Sequence, residues 1–294
     1  RNPKNFLKIS WKNINRSNLN LNFNFMNDFF NSNNFLVFDI ETIPDIEGWR
    51  KLHNLPPEMS AQDVYEHAVK IRTEENKSNP EFFPHFLQKI VCLSYVFRAA
   101  NKFALVSVVS PEFDEKTILQ RFFKGVDTKP ILISWNGSGF DLPVINLRSM
   151  IYGVSSQNFW NTKDDFKWNN YFSRYHFRHT DIMDVLALYG GRANAPLDDL
   201  SKLCGFPGKL GGMEGSQVFA AWLEGKSQHI SNYCQTDVLN TYLMFLRFAR
   251  FKSEINAEQE HNEHLFIKNE LNKMIAKKPD DTMHLQEFLQ EWKI

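Results

Sequence analysis

Cysteine is scarce in this chain. Only Cys92, Cys204 and Cys234 occur in 294 residues, and none forms a CxxC pair. That excludes a disulfide framework and a zinc ribbon, and it suits a reducing compartment, so a cytoplasmic location is expected. Long apolar runs are missing as well. No stretch reaches the ~20 residues that cross a bilayer as a helix, and no membrane partner is expected. Neither charge sign is in excess. Lys+Arg and Asp+Glu both number 34, so any polyanion must be held by a local patch or through metal ions. No HExxH occurs, and His176 and His179 are read as surface or hydrogen-bonded residues.

Core material is plentiful. The hydrophobic fraction is 43% and there are 27 Phe, enough for a packed globular protein of one large domain or two small ones. Residues 1–25 stand apart. They are rich in Asn, carry Arg1, Lys4, Lys8, Lys12 and Arg16, and contain no acid before Asp28. They lack the apolar core of a secretory signal, and their helical amphipathicity is weak for an organellar targeting peptide. The expectation is a disordered extension over 1–32, with a translated upstream region ahead of a natural start at Met26.

Beyond it, strands and helices alternate. Residues 35–41 predict a buried strand, 60–75 a helix, and 89–98 and 102–110 two strands joined by a tight turn. A helix is expected from Glu112 to Lys124, a strand over 130–136 and a helix over 142–150. "HTDIMDVLALYGG" (179–191) reads as a capped helix closed by Gly-Gly, with Thr180 or Asp181 as the cap. Two short helices follow, with Asp198 and Asp199 at the start of the first. A long helix is expected over 227–251 and a helical stretch over 252–294. The pattern is that of an α/β protein with a mixed central sheet flanked by helices.

Three places carry candidate chemistry. In "FDIE", Asp39 and Glu41 point to one face of a strand while Ile40 points to the other. Ile40 can stay in the core while two carboxylates share a cleft, where they repel unless a cation neutralises them; two solvated acids at a strand end are the plain alternative. In "WNGSGFD", Asp141 opens a helix whose dipole favours its charge; an ordinary first-turn acid is the alternative. In "YCQTD", Tyr233 and Asp237 share a helix face; a core Tyr beside an exposed Asp is the alternative. "FWNTKDDFKWNNYFSRYHFRH" (159–179) sets Lys163, Lys167, Arg174 and Arg178 among aromatics, which suits either a nucleic-acid track or a packed connection. Lys202 and Lys209 are possible phosphate contacts.

In this order, the three motifs resemble the DEDDy branch of the DEDD superfamily of 3′–5′ exonucleases. "FDIETIPD", "WNGSGFDLPVI", "LDDLSKLCGFPGK" and "YCQTDVLNTYLMFLR" are similar to predicted bacterial exonucleases related to the proofreading domain of family B DNA polymerases, over roughly residues 33–250. The resemblance implies a ribonuclease H-like exonuclease domain over 33–251, with 252–294 as a helical extension packed on or following it. It implies Asp39, Glu41, Asp141 and Asp237 as ligands of two Mg²⁺ or Mn²⁺ ions, hard cations that prefer oxygen donors. Asp39 would bridge both ions, Glu41 and Asp237 would lie on the nucleophile side, and Asp141 would serve the second ion partly through water. Tyr233 would orient the attacking water. The expected activity is removal of nucleoside 5′-monophosphates from the 3′ end of single-stranded DNA. Thr42, Ile43, Asn136 and Phe140 are candidates to contact the terminal nucleotide, Phe140 by base stacking unless it is core. An exoribonuclease with the same residues and a non-catalytic nucleic-acid-binding protein on the same scaffold are the alternatives.

Overall fold

The structure is a computed structural model that describes residues 29–293; the expectations for residues 1–25 and for a start at Met26 lie outside the described residues. Phe35 to Phe38 are all buried, so their strand needs cover on both faces. β1 (Asn34–Pro44) is followed by α1 (Ile46–Leu52), α2 (Ala61–Glu74), and the antiparallel pair β2 (Gln88–Ala99) and β3 (Lys102–Val109). Next come α3 (Glu115–Val126), β4 (Ile131–Ser134), α4 (Asp141–Tyr152), β5 (His179–Asp181) and α5 (Ile182–Leu186). α6 (Leu197–Leu203), α7 (Val218–Leu223), α8 (Ser227–Phe251), α9 (Ala257–Lys277) and α10 (Met283–Glu291) complete the described chain.

The sheet has the order β3-β2-β1-β4-β5. β1, β2 and β3 run antiparallel in turn, whereas β4 and β5 join β1 in parallel. This is a mixed α/β sheet with helices on both faces, as expected. α3 and α4 cover one face, where Ile118, Phe122, Leu142 and Ile145 meet Leu36, Phe38 and Ile40. α8 covers the other, where Leu239, Tyr242 and Phe245 meet Phe35 and Val37. Ile267 and Leu271 of α9 and Leu285 and Phe288 of α10 join that second core, so α8 is enclosed over most of its surface.

Three sequence expectations are corrected. The extension expected through residue 32 is docked from Phe29 on: Phe30 is buried, and the Phe29 ring stacks on Phe35 at 5.3 Å. Between the first strand and the helix expected over 60–75 no element was predicted, and α1 stands there, capped by Asp45, whose side chain accepts from Gly48 N. The single helix expected over 179–191 is a short strand and a short helix. His179, Thr180 and Asp181 extend the parallel ladder beside Leu132, Ile133 and Ser134, and that pairing overrides the local helix signal. Asp181 then caps α5, and the chain leaves it through Leu188 and Tyr189 at φ 50° and 61°.

Two buried arginines tie the layers together. Arg148 on α4 pairs with Glu115 on α3 and with Asp45 at the β1–α1 junction, and Glu115 also accepts from Ile90 N of β2 at 2.8 Å. Arg98 on β2 makes a two-pronged pair with Glu263 on α9 at 2.6 and 2.9 Å, and Tyr242 of α8 donates to the same carboxylate at 2.8 Å. Glu263→Ala leaves Arg98 charged and unpaired in the core, an expected cost of ~3–5 kcal/mol in urea unfolding. A loss of only ~0–1 kcal/mol, the worth of an exposed pair, would mean that α9 unfolds independently of the sheet.

Candidate active site

The site starts with alternation along β1. Leu36, Phe38 and Ile40 pack under α3 and α4, while Phe35 and Val37 face α8. Asp39 and Glu41 continue the second series and therefore face α8 as well. Just past Glu41 the ladder shifts register, with Glu41 opposite Cys92 and Thr42 opposite Ile90. A bulge beside the two acids bends the strand where they must converge with other groups.

Tyr233 and Asp237 lie one turn apart on α8 and meet this face. Asp237 is 7% exposed, and its Oδ1 is buried without a hydrogen-bond partner. Cys234 donates through Sγ to Asp39 Oδ2 at 3.4 Å. Ligand atoms of Asp39, Glu41 and Cys234 all lie within 4.8 Å of one another.

Asp141 arrives from the sheet's other side. The parallel pairing of β1 with β4 covers only Phe35–Val37 against Ile131–Ile133. Beyond it the Ile40 amide has no strand partner, and Asp141 Oδ1 accepts from it at 3.2 Å. The loop leading to Asp141 is held by Asp181, whose carboxylate accepts from Asn136 N at 2.9 Å and Ser138 N at 2.8 Å.

Burial and mutual repulsion dominate the electrostatics. Asp39 is held well above the usual carboxylate range by burial and then by Asp141 and Asp237. Glu41 is raised likewise by burial, Asp39 and Asp237. Burial pushes Asp141 up to about 7, against the hydrogen bond from Ile40. Asp237 rises to about 6 by burial, with Lys209 opposing the shift. Burial and the three carboxylates Asp237, Glu41 and Asp39 raise the Tyr233 phenol, so its hydroxyl is neutral.

Lys209 places an ammonium in contact with this cluster. Its Nζ donates to the Tyr233 hydroxyl at 2.6 Å and lies 3.8 Å from Asp237 Oδ2. Its backbone N–H donates to Asp198 at 2.7 Å, and Asn240 of α8 bonds both N–H and C=O of Gly208. Gly208 has φ +71°, and a Cβ there would lie 2.5 Å from Asp198 Oδ1, so the turn requires glycine. Four clustered carboxylates, one ammonium and an orphaned carboxylate oxygen fit divalent cations: the oxygens suit Mg²⁺ or Mn²⁺, and Cys234 adds a softer donor at the edge.

The structure brings together Asp39, Glu41, Asp141, Tyr233 and Asp237. The expected nucleotide contacts fare unequally. Thr42 is half-buried and donates to Gln88 at 2.9 Å. Ile43 is buried among Val218, Ile230 and Tyr233, so it offers no side-chain surface to a nucleotide. Asn136 is exposed at φ 64°. Phe140 is half-buried and packs on Phe82 and His85 at 5.7 and 5.6 Å. Lys202 is paired with Asp198 at 2.8 Å rather than turned to the carboxylates, and Arg178 serves structure by lying over the Phe166 ring at 4.2 Å. Cys234 was missed as a neighbour of the acids. The one local signal for Lys209 was its place after a Pro-Gly turn.

The sequence model of a family described as predicted 3′–5′ exonucleases related to the exonuclease domain of PolB matches residues 80–292. Asp141, Tyr233 and Asp237 lie inside the matched span, and Asp39 and Glu41 precede it. No curated protein matches. A family B DNA polymerase from the hyperthermophilic archaeon Pyrobaculum calidifontis is similar in structure over 71% of this chain and 23% of its own, at 15% identity and a TM-score of 0.45. Exonuclease I in its apo form is similar over 83% of this chain and 46% of its own, at 14% identity and a TM-score of 0.34. The chain thus spans less than half the length of either.

Raised carboxylate pKa values stabilise the fold while the groups are protonated. In chelator, that contribution is complete below the ordinary carboxylate range of ~4 and is lost as pH rises through about 6 for Asp237 and about 7 for Asp141. Relative to Asp39→Ala/Asp237→Ala, which retains Asp141 and lacks Asp237, the wild type is expected to lose melting temperature in EDTA as pH rises through about 6. Saturating Mn²⁺ is expected to restore it in the wild type alone. Equal stabilisation of the double variant would put the ion elsewhere.

Proposed function

Because the chain belongs to the family of predicted 3′–5′ exonucleases related to the exonuclease domain of PolB, we propose that it hydrolyses single-stranded DNA from the 3′ end. Its products are nucleoside 5′-monophosphates. Asp39, Glu41, Asp141 and Asp237 are the residues that hold two Mg²⁺ or Mn²⁺ ions. What supports this most is the enclosed cluster of four carboxylates faced by a single lysine, with one Asp237 oxygen left unpartnered. Bound in such a cluster, divalent ions supply an activated water and neutralise charge on a leaving 3′-oxygen.

The chain's own groups do the positioning. One oxygen of Asp141 is taken by the Ile40 amide, which leaves the other to face a ligand. Lys209 donates to the Tyr233 oxygen, so the phenol hydrogen is free to point at a carboxylate or an attacking water. A phenol held neutral by burial is no general base; Tyr233 orients a water and does not deprotonate it. Lys209 also keeps positive charge beside the place where a phosphate would gain negative charge. Thr42 and Phe140 border the approach and are the residues to meet the terminal nucleotide; Asn136 lies in the wall of a neighbouring cavity.

A 5′-labelled single strand incubated with Mn²⁺ is expected to give a ladder shortened from the 3′ end, abolished by chelator and by Asp39→Ala. Undiminished laddering by Asp39→Ala would sink the assignment. Tyr233→Phe is expected to lower kcat by about 10²-fold with little change in KM, because it removes an orienting group and no binding surface. An RNA strand of matching sequence, run in parallel, reads whether a 2′-hydroxyl is accepted.

A further inference from the structure

The stretch 159–178 divides its large rings in two. Phe159, Phe166 and Tyr171 are buried in the core beneath α3 and α4. Trp160, Trp168, Phe172, Tyr175 and Phe177 are 43% to 78% exposed. A connection built only for packing would bury such rings, and grouped in water they mark a binding surface. Phe172, Tyr175 and Phe177 border a cavity of about 950 Å³. Its other walls are the loop from Asn136 to Gly139, the first turns of α4, β5 with α5, Tyr189, and the C-terminal end of α8. That volume lies near the top of the ~300–1,000 Å³ range of ligand sites.

The lining defines the chemistry. Tyr175 stands edge-on to Tyr189 at 5.3 Å, and Phe172 leans on Trp160 at 5.2 Å. Tyr189 and the preceding Leu188 both adopt the left-handed backbone conformation, which bulky side chains avoid, so the Tyr189 ring is held at a conformational cost. The Arg174 guanidinium lies 4.8 Å from the centre of the Tyr189 ring, and Lys252 Nζ lies 5.8 Å from that of Phe177. The two carboxylates in the wall are already engaged. Asp181 accepts from the amides of Asn136, Ser138 and Asp184, and Asp184 pairs with Arg174. Arg174 is paired with Asp184 and Lys252 with Glu254 at 2.6 Å, so the lining is close to neutral and its exposed rings are the main binding surface. Ring faces with no free carboxylate to repel phosphate match single-strand binding sites, where rings stack on bases.

The loop that forms one wall ends, two residues past Gly139, in Asp141. We propose that this cavity is a second nucleic-acid subsite, which takes unstacked bases of the strand several nucleotides 5′ of the end held at Asp39 and Asp141. The strand direction rests on the exonuclease reading above; binding in the cavity does not.

The test compares wild type with Tyr175→Ala/Phe177→Ala on a single strand of about 20 nucleotides and on a dinucleotide too short to reach the cavity. KM for the long strand is expected to rise about tenfold or more, with kcat and all dinucleotide kinetics unchanged. An unchanged KM for the long strand, or an equal loss on both substrates, overturns the proposal. If circular dichroism shows the alanine pair unfolded, Tyr175→Leu/Phe177→Leu keeps the apolar bulk without the rings and is read by the same criteria. If the wild type cleaves neither substrate, the exonuclease reading fails alone. Anisotropy of a fluorescein-labelled oligothymidylate in EDTA then decides the cavity: tenfold weaker binding by the double variant upholds it, and equal binding ends it.

Discussion

Repulsion among Asp39, Glu41, Asp141 and Asp237 is the constraint that the rest of the molecule has to answer. Two unit charges ~4 Å apart repel by ~4 kcal/mol at an effective dielectric constant of ~20. Several such pairs, all ionised, would take a large share of the ~5–15 kcal/mol that holds a typical domain together. Without ions, burial and this repulsion hold Asp39 and Glu41 well above the usual carboxylate range. Lys209 offsets one charge, and its backbone is fixed by Asp198 and Asn240 rather than by the acids themselves. The backbone that carries Lys209 is thus part of the scaffold, while its ammonium is placed by Tyr233 and Asp237.

The scaffold resists by enclosing the acids from two directions. β1 is clamped between the α3–α4 layer and α8, so Asp39 and Glu41 cannot swing apart without opening a core. α8 is backed by α9 and α10, which hold it in the core with Asp237 turned to the β1 acids. Arg148 ties α4 to α3 and to the end of β1, so the helix that opens with Asp141 is anchored to the strand that carries the other acids. Each acid is held by an element whose main contacts lie elsewhere.

This division explains what could be read from the amino-acid sequence. Alternation put Asp39 and Glu41 on one face, and an i,i+4 spacing put Tyr233 beside Asp237; both are local rules and both match the geometry. The burial of Asp237 was not local, because it depends on α8 packing against β1 and on Lys209 lying beside it. β5 was misread for the same reason: its three residues are a strand because they pair with β4, Leu132 against His179 through Ser134 against Asp181, far off in sequence. Ile43 follows Glu41 on the same face, yet there the face passes under α7 and the start of α8, so alternation gave its direction and not its cover. The aromatic stretch 159–179 showed one composition and serves two purposes, since only tertiary packing separates Phe159 and Tyr171 from Tyr175 and Phe177.

The bond from the Ile40 amide to Asp141 has a consequence for how such a chain can vary. It makes the connection from Trp135 to Phe140 a spacer of set length between β4 and α4. An inserted residue must be absorbed in the loop or shift the register of α4, and a one-residue shift moves the carboxylate ~100° around the helix axis, away from its amide. Deletion would pull Asn136 and Ser138 off Asp181. Insertions and grafts therefore belong at the exposed turn of Ala100 and Asn101, on the far edge of the sheet, where chain length sets no distance that chemistry depends on.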